Sequence, residues 1–329
     1  MSNTANKPQA LKAQIREYKK IQISSPSIDK FTFLPLLEDE TAFDRAKHAL
    51  TTQAFEGVLK DTDTTKRDLI VLKMNLQLNE RKTTYLQIDI SSLYRRIRLE
   101  HSPSKIDSSA RACLDDIARK AFDLRTFEHL LIGAKVTRVD ICRDIHGMHI
   151  EDFFFKAKQM RVCNNFKTDH TGVLETINFG TRGSNQFCIY NKAMERGLNP
   201  FTSPAWTRIE YRRIPQNFFM SDLLDLKNPF PQLEIYGLDL GVLNFIPQEY
   251  LVWFMDSCRF RGVSDALKAG HLQGKVKDKT LRQMKERLLP CWIAAQRNWD
   301  SEWIEALKIA HLYDAAMNQV GNGDEDAAH

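Results

Sequence analysis

Val136-Thr137-Arg138-Val139-Asp140-Ile141-Cys142-Arg143-Asp144 is the stretch that decides the fold. Side chains alternate across a strand, so Arg138, Asp140, Cys142 and Asp144 share one face, while Val139, Ile141 and Ile145 share the other and can feed a core. Two carboxylates and an arginine on one face of a central strand are expensive as core residues and are readily explained as a site for a divalent cation and a phosphate. A second strand, Trp206-Thr207-Arg208-Ile209-Glu210-Tyr211-Arg212, sets Arg208, Glu210 and Arg212 on one face and Thr207, Ile209 and Tyr211 on the other. In one sheet, the two strands can bring Asp140 and Glu210 to one ion, with Asp144 as a further oxygen donor. Such ligands suit Mg2+ or Mn2+, not zinc.

Between these strands the sequence predicts a hairpin, Leu174–Thr181 and Gln186–Lys192, joined by Arg182-Gly183-Ser184-Asn185. Backbone amides of the Gly-x-x-Gly-Ser turn can approach a phosphate. Tyr190 faces the same way as Cys188 and Lys192. A phenol with a pKa near ~10 is a weak nucleophile, and an adjacent Lys192 together with a metal-bound phosphate favours the phenolate.

Working outward, Asp68–Leu78 and Thr83–Ile90 read as another hairpin. Thr41–Leu59, Ser108–Ile132 and Ile150–Met160 read as helices. This order predicts an α+β fold: an antiparallel sheet with helices on one face, ferredoxin- or RNA-recognition-motif-like. From Gln248 onward strand signals vanish and helices are expected over Glu249–Cys258, Ser264–Leu272, Asp278–Gln296 (kinked or split at Pro290) and Ser301–Asn318. The expected organisation is a basic polar leader (1–30, with one helix over Leu11–Tyr18), an α+β domain (31–247), a helical region (248–320) and an acidic tail (321–329).

Composition is that of a globular chain: 43% hydrophobic and 27% charged among 329 residues, with no apolar run of membrane-spanning length and no secretory signal. A cytoplasmic protein with no membrane partner is expected. Six scattered cysteines form no C-x-x-C pair, which argues against a zinc site or a disulfide scaffold. A net charge of +5 permits a nucleic-acid partner without requiring one. The charge is local: Lys268, Lys275, Lys277, Lys279, Arg282, Lys285, Arg287 and Arg297 stand against Asp278 and Glu286, a net +6. A solvated helix face is the plain reading. The favoured one is a DNA-contacting helix anchored by Trp292, Trp299 and Trp303.

The runs VTRVDICRD, INFGTRGSNQFCIYNKAMERG and WTRIEYRR together resemble the Rep_trans family, the rolling-circle replication initiators of plasmids and filamentous phages, with related relaxases of mobile elements. The resemblance covers roughly 135–213. It implies an HUH-nuclease-like nicking core, with Tyr190 as the nicking tyrosine and Lys192 beside it, and Asp140 and Glu210 as ligands of Mg2+ or Mn2+. It places Arg138, Arg182, Lys192 and Arg208 near the scissile phosphate, and Arg212, on the face of Arg208, is a further candidate for phosphate or DNA contact. Where many relatives carry an arginine two residues before the tyrosine, this chain has Cys188. Origin DNA is the implied partner, extruded or melted to a single strand, with a host helicase and polymerase acting afterwards and a homodimer left open.

Competing readings are a relaxase at a transfer origin, which shares the chemistry, a non-catalytic DNA-binding regulator, and an RNA binder. The last lacks paired base-stacking aromatics. A strand tyrosine is more often packed than nucleophilic, and Asp140 could simply pair with Arg138 or Arg212. His146-Gly147-Met148-His149 reads as a strand-to-helix turn, not a metal pair, and Tyr211 as core.

Overall fold

The computed structural model describes residues 21–53, 55, 58–62, 68–78, 81–160, 163–167, 174–181, 183–199, 202–237, 245–261, 263–268, 274–285 and 288–323. In chain order the first elements are β1 (Gln22–Ile23), β2 (Ser27–Leu34), α1 (Glu40–Thr52), β3 (Val58–Thr62), β4 (Leu69–Leu78), β5 (Arg81–Ser91) and β6 (Arg96–His101). Then come α2 (Ser108–Phe122), α3 (Phe127–Leu131), β7 (Lys135–His146), β8 (Phe153–Ala157), β9 (Cys163–Lys167), β10 (Leu174–Phe179), β11 (Gln186–Asn191), α4 (Lys192–Glu195), β12 (Trp206–Arg213) and β13 (Leu233–Gly237). The remainder is helical: α5 (Gln248–Arg261), α6 (Val263–Lys268), α7 (Gly274–Lys285), α8 (Pro290–Ala294), α9 (Trp299–Ile309) and α10 (Tyr313–Gly323). The chain is α+β with antiparallel sheet pairing. No helix among the described residues is long and apolar enough to cross a membrane.

The chain divides into two units. The first comprises residues 1–25, 142–212 and 228–299; the second comprises 26–141, 213–227 and 300–329. The division falls inside β7, between Ile141 and Cys142.

In the second unit, strands run in the order β3-β4-β5-β6-β2 with the Lys135–Ile141 half of β7 next to β2. The β4–β5 hairpin expected between 68 and 90 is present, with Leu69 opposite Ser91 and Leu78 opposite Arg81. α1 buries Phe43, Ala46, Ala49 and Leu50, and Asp39 caps its start by accepting from the Ala42 amide. The helix expected over 108–132 is two. α2 stops where Asp123 adopts a left-handed conformation (φ 57°), and α3 follows after a short break. Phe31, Phe33 and Phe127 surround His101 edge-on at the centre of this unit.

In the first unit, β9-β10-β11-β12 continue to the Cys142–His146 half of β7, with β1 antiparallel on β7. The helix expected over 150–160 is instead a 3-10 turn and then β8, antiparallel to β13 with Phe155 opposite Ile235. Phe153, Phe154 and Phe155 are all buried, and an aromatic run packed on both sides suits a strand better than a one-sided helix. The segment expected over 278–296 is split into α7 and α8, with Pro290 at the first position of α8. Phe154, Tyr236, Phe254, Met255, Leu267 and Met284 form one apolar cluster that binds α5, α6 and α7 to the β8–β13 ribbon.

Candidate active site

The β10–β11 hairpin positions the tyrosine. Gly180 has φ +94°, and a Cβ there would lie 2.5 Å from the Asn185 carbonyl oxygen, so only glycine fits. The Ser184 amide donates to the Thr181 carbonyl at 3.1 Å and is therefore already used within the turn. Arg182 lies outside the described residues. The strand then registers tightly on β12: Cys188 faces Glu210, Ile189 faces Ile209, and Tyr190 faces Arg208. Ile189 and Phe187 are fully buried while Cys188 and Tyr190 are half-buried, so Tyr190 lies on the less buried face of the strand, as alternation predicts.

Lys192 departs from the sequence reading in a useful way. The strand ends at Asn191, whose Oδ1 accepts from the Met194 amide at 3.1 Å and starts a one-turn helix at Lys192. That turn carries the Lys192 ammonium back over the Tyr190 ring, 5.5 Å from its centroid. The lysine is buried and its charge is balanced by Glu195 at 2.8 Å, a partner visible in the sequence only as an i, i+3 spacing.

Arg208 is the second cation beside Tyr190. It grips Asp144 with two hydrogen bonds, Nε to Oδ1 at 2.7 Å and one terminal nitrogen to Oδ2 at 2.8 Å. Burial pushes the Asp144 carboxyl up, but the Arg208 hydrogen bonds and charge, the Trp206 indole and Lys192 outweigh it and hold the group below the usual carboxylate range. The Trp206 indole N–H exerts this pull from outside hydrogen-bond geometry, because its nitrogen is buried without a formed bond. For Arg208, burial opposes the charge, while Asp144, Cys142 and Tyr190 reinforce it, so the guanidinium is held more firmly protonated than a free one.

The other named carboxylates are paired as well. Glu210 accepts from Arg212 at 3.2 Å, and Arg212 also donates to the Gln186 side-chain oxygen at 3.2 Å. In the second unit Asp140 is fully buried and accepts from Arg138 on both oxygens, with Nε at 2.7 Å from Oδ1; Arg138 also lies 3.8 Å from Glu100. Glu100, which the sequence does not single out, is the further carboxylate beside Arg138 in this unit. Burial raises it, but Lys30, Arg138 and Arg98 together hold it below the ordinary value.

These pairings bear on the expected cation site. The donors are the right chemical kind, all oxygen, yet Asp140, Asp144 and Glu210 each already hold an arginine. Among the described residues no group of three or more His, Cys, Asp or Glu could hold a metal ion. Within the first unit Asp144 and Glu210 are each taken up by an arginine, so as placed they do not fit Mg2+ or Mn2+ and instead anchor Arg208 and Arg212; in the second unit Asp140 anchors Arg138.

One of the solved structures to which the chain is similar is that of a replication protein. It is the rolling circle replication initiator protein from Geobacillus stearothermophilus, similar at a TM-score of 0.34 with 15% sequence identity, over 60% of this chain and 76% of that one. No protein-family model matches the chain, and no curated protein does.

Elsewhere the predicted residues fall as follows. Tyr211 is core, its ring 4.8 Å from that of Phe187. His146 is exposed and lies 5.3 Å from the Trp206 ring, and Gly147 makes the strand-end turn with φ +80°. In α7, Lys275, Lys279 and Arg282 are exposed and Lys277 half-exposed, while Thr280 and Met284 face inward. Lys279 lies over the Phe245 ring at 4.1 Å. Lys285 ends this helix, and Arg287 lies outside the described residues. Trp292, Trp299 and Trp303 are buried, and Trp303 lies in the second unit, where its indole donates to the Leu223 carbonyl.

Proposed function

We propose that the chain cuts one strand of origin DNA with Tyr190 and remains joined to the 5′ phosphate, as a rolling-circle initiator. The observation that carries this reading is the setting of the phenol: a half-buried strand tyrosine between two cations, each fixed by its own carboxylate, Lys192 by Glu195 and Arg208 by Asp144. The order of the three motif strands supports it independently.

The Tyr190 oxygen attacks phosphorus in line. The P–Oη bond forms, the P–O3′ bond breaks, the phenolic proton passes to solvent and the departing 3′ oxygen takes one up. Lys192 and Arg208 favour the phenolate and compensate the charge that gathers on the phosphoryl oxygens. Both cations are held beside the phenol before substrate arrives, and Arg208 engages a phosphate by exchanging its Asp144 partner. The phosphotyrosine bond conserves the energy for rejoining, and the free 3′-OH is what a polymerase would extend.

The test is incubation with supercoiled plasmid carrying a candidate origin, with Mg2+, Mn2+ and chelator arms. Nicked DNA should stay with protein in phenol until proteolysis, with the adduct on Tyr190. Tyr190→Phe should form none while binding single-stranded DNA within a few-fold of wild type. An adduct mapped to Tyr94 or Tyr211 refutes the assignment.

A further inference from the structure

The first unit contains an open cleft of about 340 Å³ at the turn end of the β10–β11 hairpin. Gln159, Thr181, Ser184, Asn185 and Gln232 line it, with Tyr211 and Met160 supplying an apolar wall. We infer that this cleft receives one base of the DNA strand being cut and reads its edge. The inference rests on the proposed nicking by Tyr190 and adds to it a determinant of sequence preference.

The chemistry of the lining favours a base over a phosphate. Among the described residues no carboxylate lines the cleft and Lys158 is the one cation, donating to the Pro231 carbonyl at 3.1 Å and lying 3.6 Å from Glu234. What remains are side-chain amides and hydroxyls beside a ring and a thioether. Amide side chains offer a donor and an acceptor together, the pattern that base edges complement. The Ser184 hydroxyl is oriented by the Thr181 carbonyl at 2.8 Å and lies 2.9 Å from the Thr181 hydroxyl, so the pair presents fixed polar groups.

Two backbone features shape the rim. Gly180 admits no side chain. Gln159 sits at φ +63°, an uncommon conformation for a residue with a Cβ, held by the neighbouring Lys158 amide bonded to the Gln232 carbonyl at 2.8 Å. Strain of this kind at a cleft rim aims a side chain that packing alone would not.

Distance and direction are compatible with one strand serving both places. Asn185 and Tyr190 lie on the same hairpin, roughly 17 Å apart along an extended strand. That along-strand distance is about five nucleotides at the ~3.4 Å spacing of a stacked strand, and the passage round the turn adds to it. Tyr211 lies on the face opposite Arg208, so the DNA would round the turn end of the hairpin between cut and cleft.

The test is selection from a randomised single-stranded DNA library by the full chain, by Gln159→Gly and by Gln232→Ala, with sequencing of the bound fraction. Glycine at 159 removes the amide while suiting the backbone, so loss of fold does not confound that variant. Wild type should show a base preference, and both variants should lose it at one shared position, by roughly 5- to 100-fold in discrimination, while other positions keep theirs. No preference in wild type, an unchanged preference in both variants, or uniform weakening at all positions overturns the inference. The nicking reading is judged separately by the Tyr190 adduct: a preference that relaxes as expected without any adduct leaves the cleft standing and removes the nuclease.

Discussion

Replacing Asp144 with asparagine isolates the part of the site that carries most charge. The Arg208–Asp144 pair has hydrogen bonds of 2.7 and 2.8 Å, and its side chains are 10% and 17% exposed. Breaking a buried pair by removing one partner costs about 3–5 kcal/mol, because the other charge is left uncompensated. The substituted amide would still accept one of the two hydrogen bonds and the pair is partly wet, so a loss of about 2–3 kcal/mol is expected at pH 7. The sign with pH follows from the depressed Asp144 pKa. The folded carboxylate holds its proton less tightly than the unfolded one, so the stabilisation is fully present above the ordinary carboxylate range and is lost as pH falls through the folded value. Urea denaturation of both proteins from pH 7 downward should therefore show a gap that closes in acid. The variant also frees Arg208 for phosphate. If it takes one more phosphate on a single strand, the slope of log K against log salt should steepen by about 0.7. Equal urea midpoints at pH 7 together with equal salt slopes would refute both the stabilising role of the pair and its competition with DNA.

Three further outcomes are expected. The triple variant Lys277→Ala, Lys279→Ala, Arg282→Ala should weaken duplex binding to all sequences alike and flatten the salt slope by up to about 0.9 for each phosphate no longer neutralised, measured by anisotropy; an unchanged slope makes α7 a solvated face. Calorimetric titration with Mn2+ in the absence of DNA should show no saturable binding, since each candidate carboxylate already pairs with an arginine; one ion bound per chain and abolished in Glu210→Gln would reinstate the cation site. His101 has its pKa pushed down to about 3 by burial and then by Arg111, so the unfolded chain takes up the proton first and stability should fall by about 2 kcal/mol between pH 7 and pH 5. His101→Phe should abolish that part of the pH dependence in urea midpoints, and an undiminished loss would place it elsewhere.

Much of the site is legible in the sequence because strand alternation is strict. Once β7, β11 and β12 are recognised, the faces of Asp144, Tyr190, Arg208, Glu210 and Tyr211 follow from odd and even positions alone. Three things are not legible, each for a physical reason. Lys192 reaches Tyr190 only because Asn191 caps a one-turn helix, and a single turn leaves no periodicity to detect. β8 reads as helical because its three consecutive phenylalanines lack alternation, and what decides them is β13, distant in sequence. The third is the role of the arginine partners. The sequence shows that charges crowd one face, but not whether each carboxylate turns to a neighbouring guanidinium or toward a shared ion.

That last distinction changes how the site must work. Arg208 meets Asp144 through two parallel N–H bonds, and a phosphate presents two oxygens to the same fork. On the proposed function, substrate therefore competes with a carboxylate instead of entering an empty positive pocket, because the described cations beside Tyr190 are each paired with a carboxylate. A neutral face attracts DNA weakly, so on the proposed function affinity comes from elsewhere, and the exposed Lys275, Lys279 and Arg282 of α7 are the candidates that the triple variant tests. Positioning then falls to the hairpin, and the exchange at Arg208 rewards only a phosphate that arrives within reach of its fork. On this reading the Asp144 pair is a filter on where the tyrosine acts: it holds the guanidinium ready for charge compensation while keeping it from binding any passing phosphate.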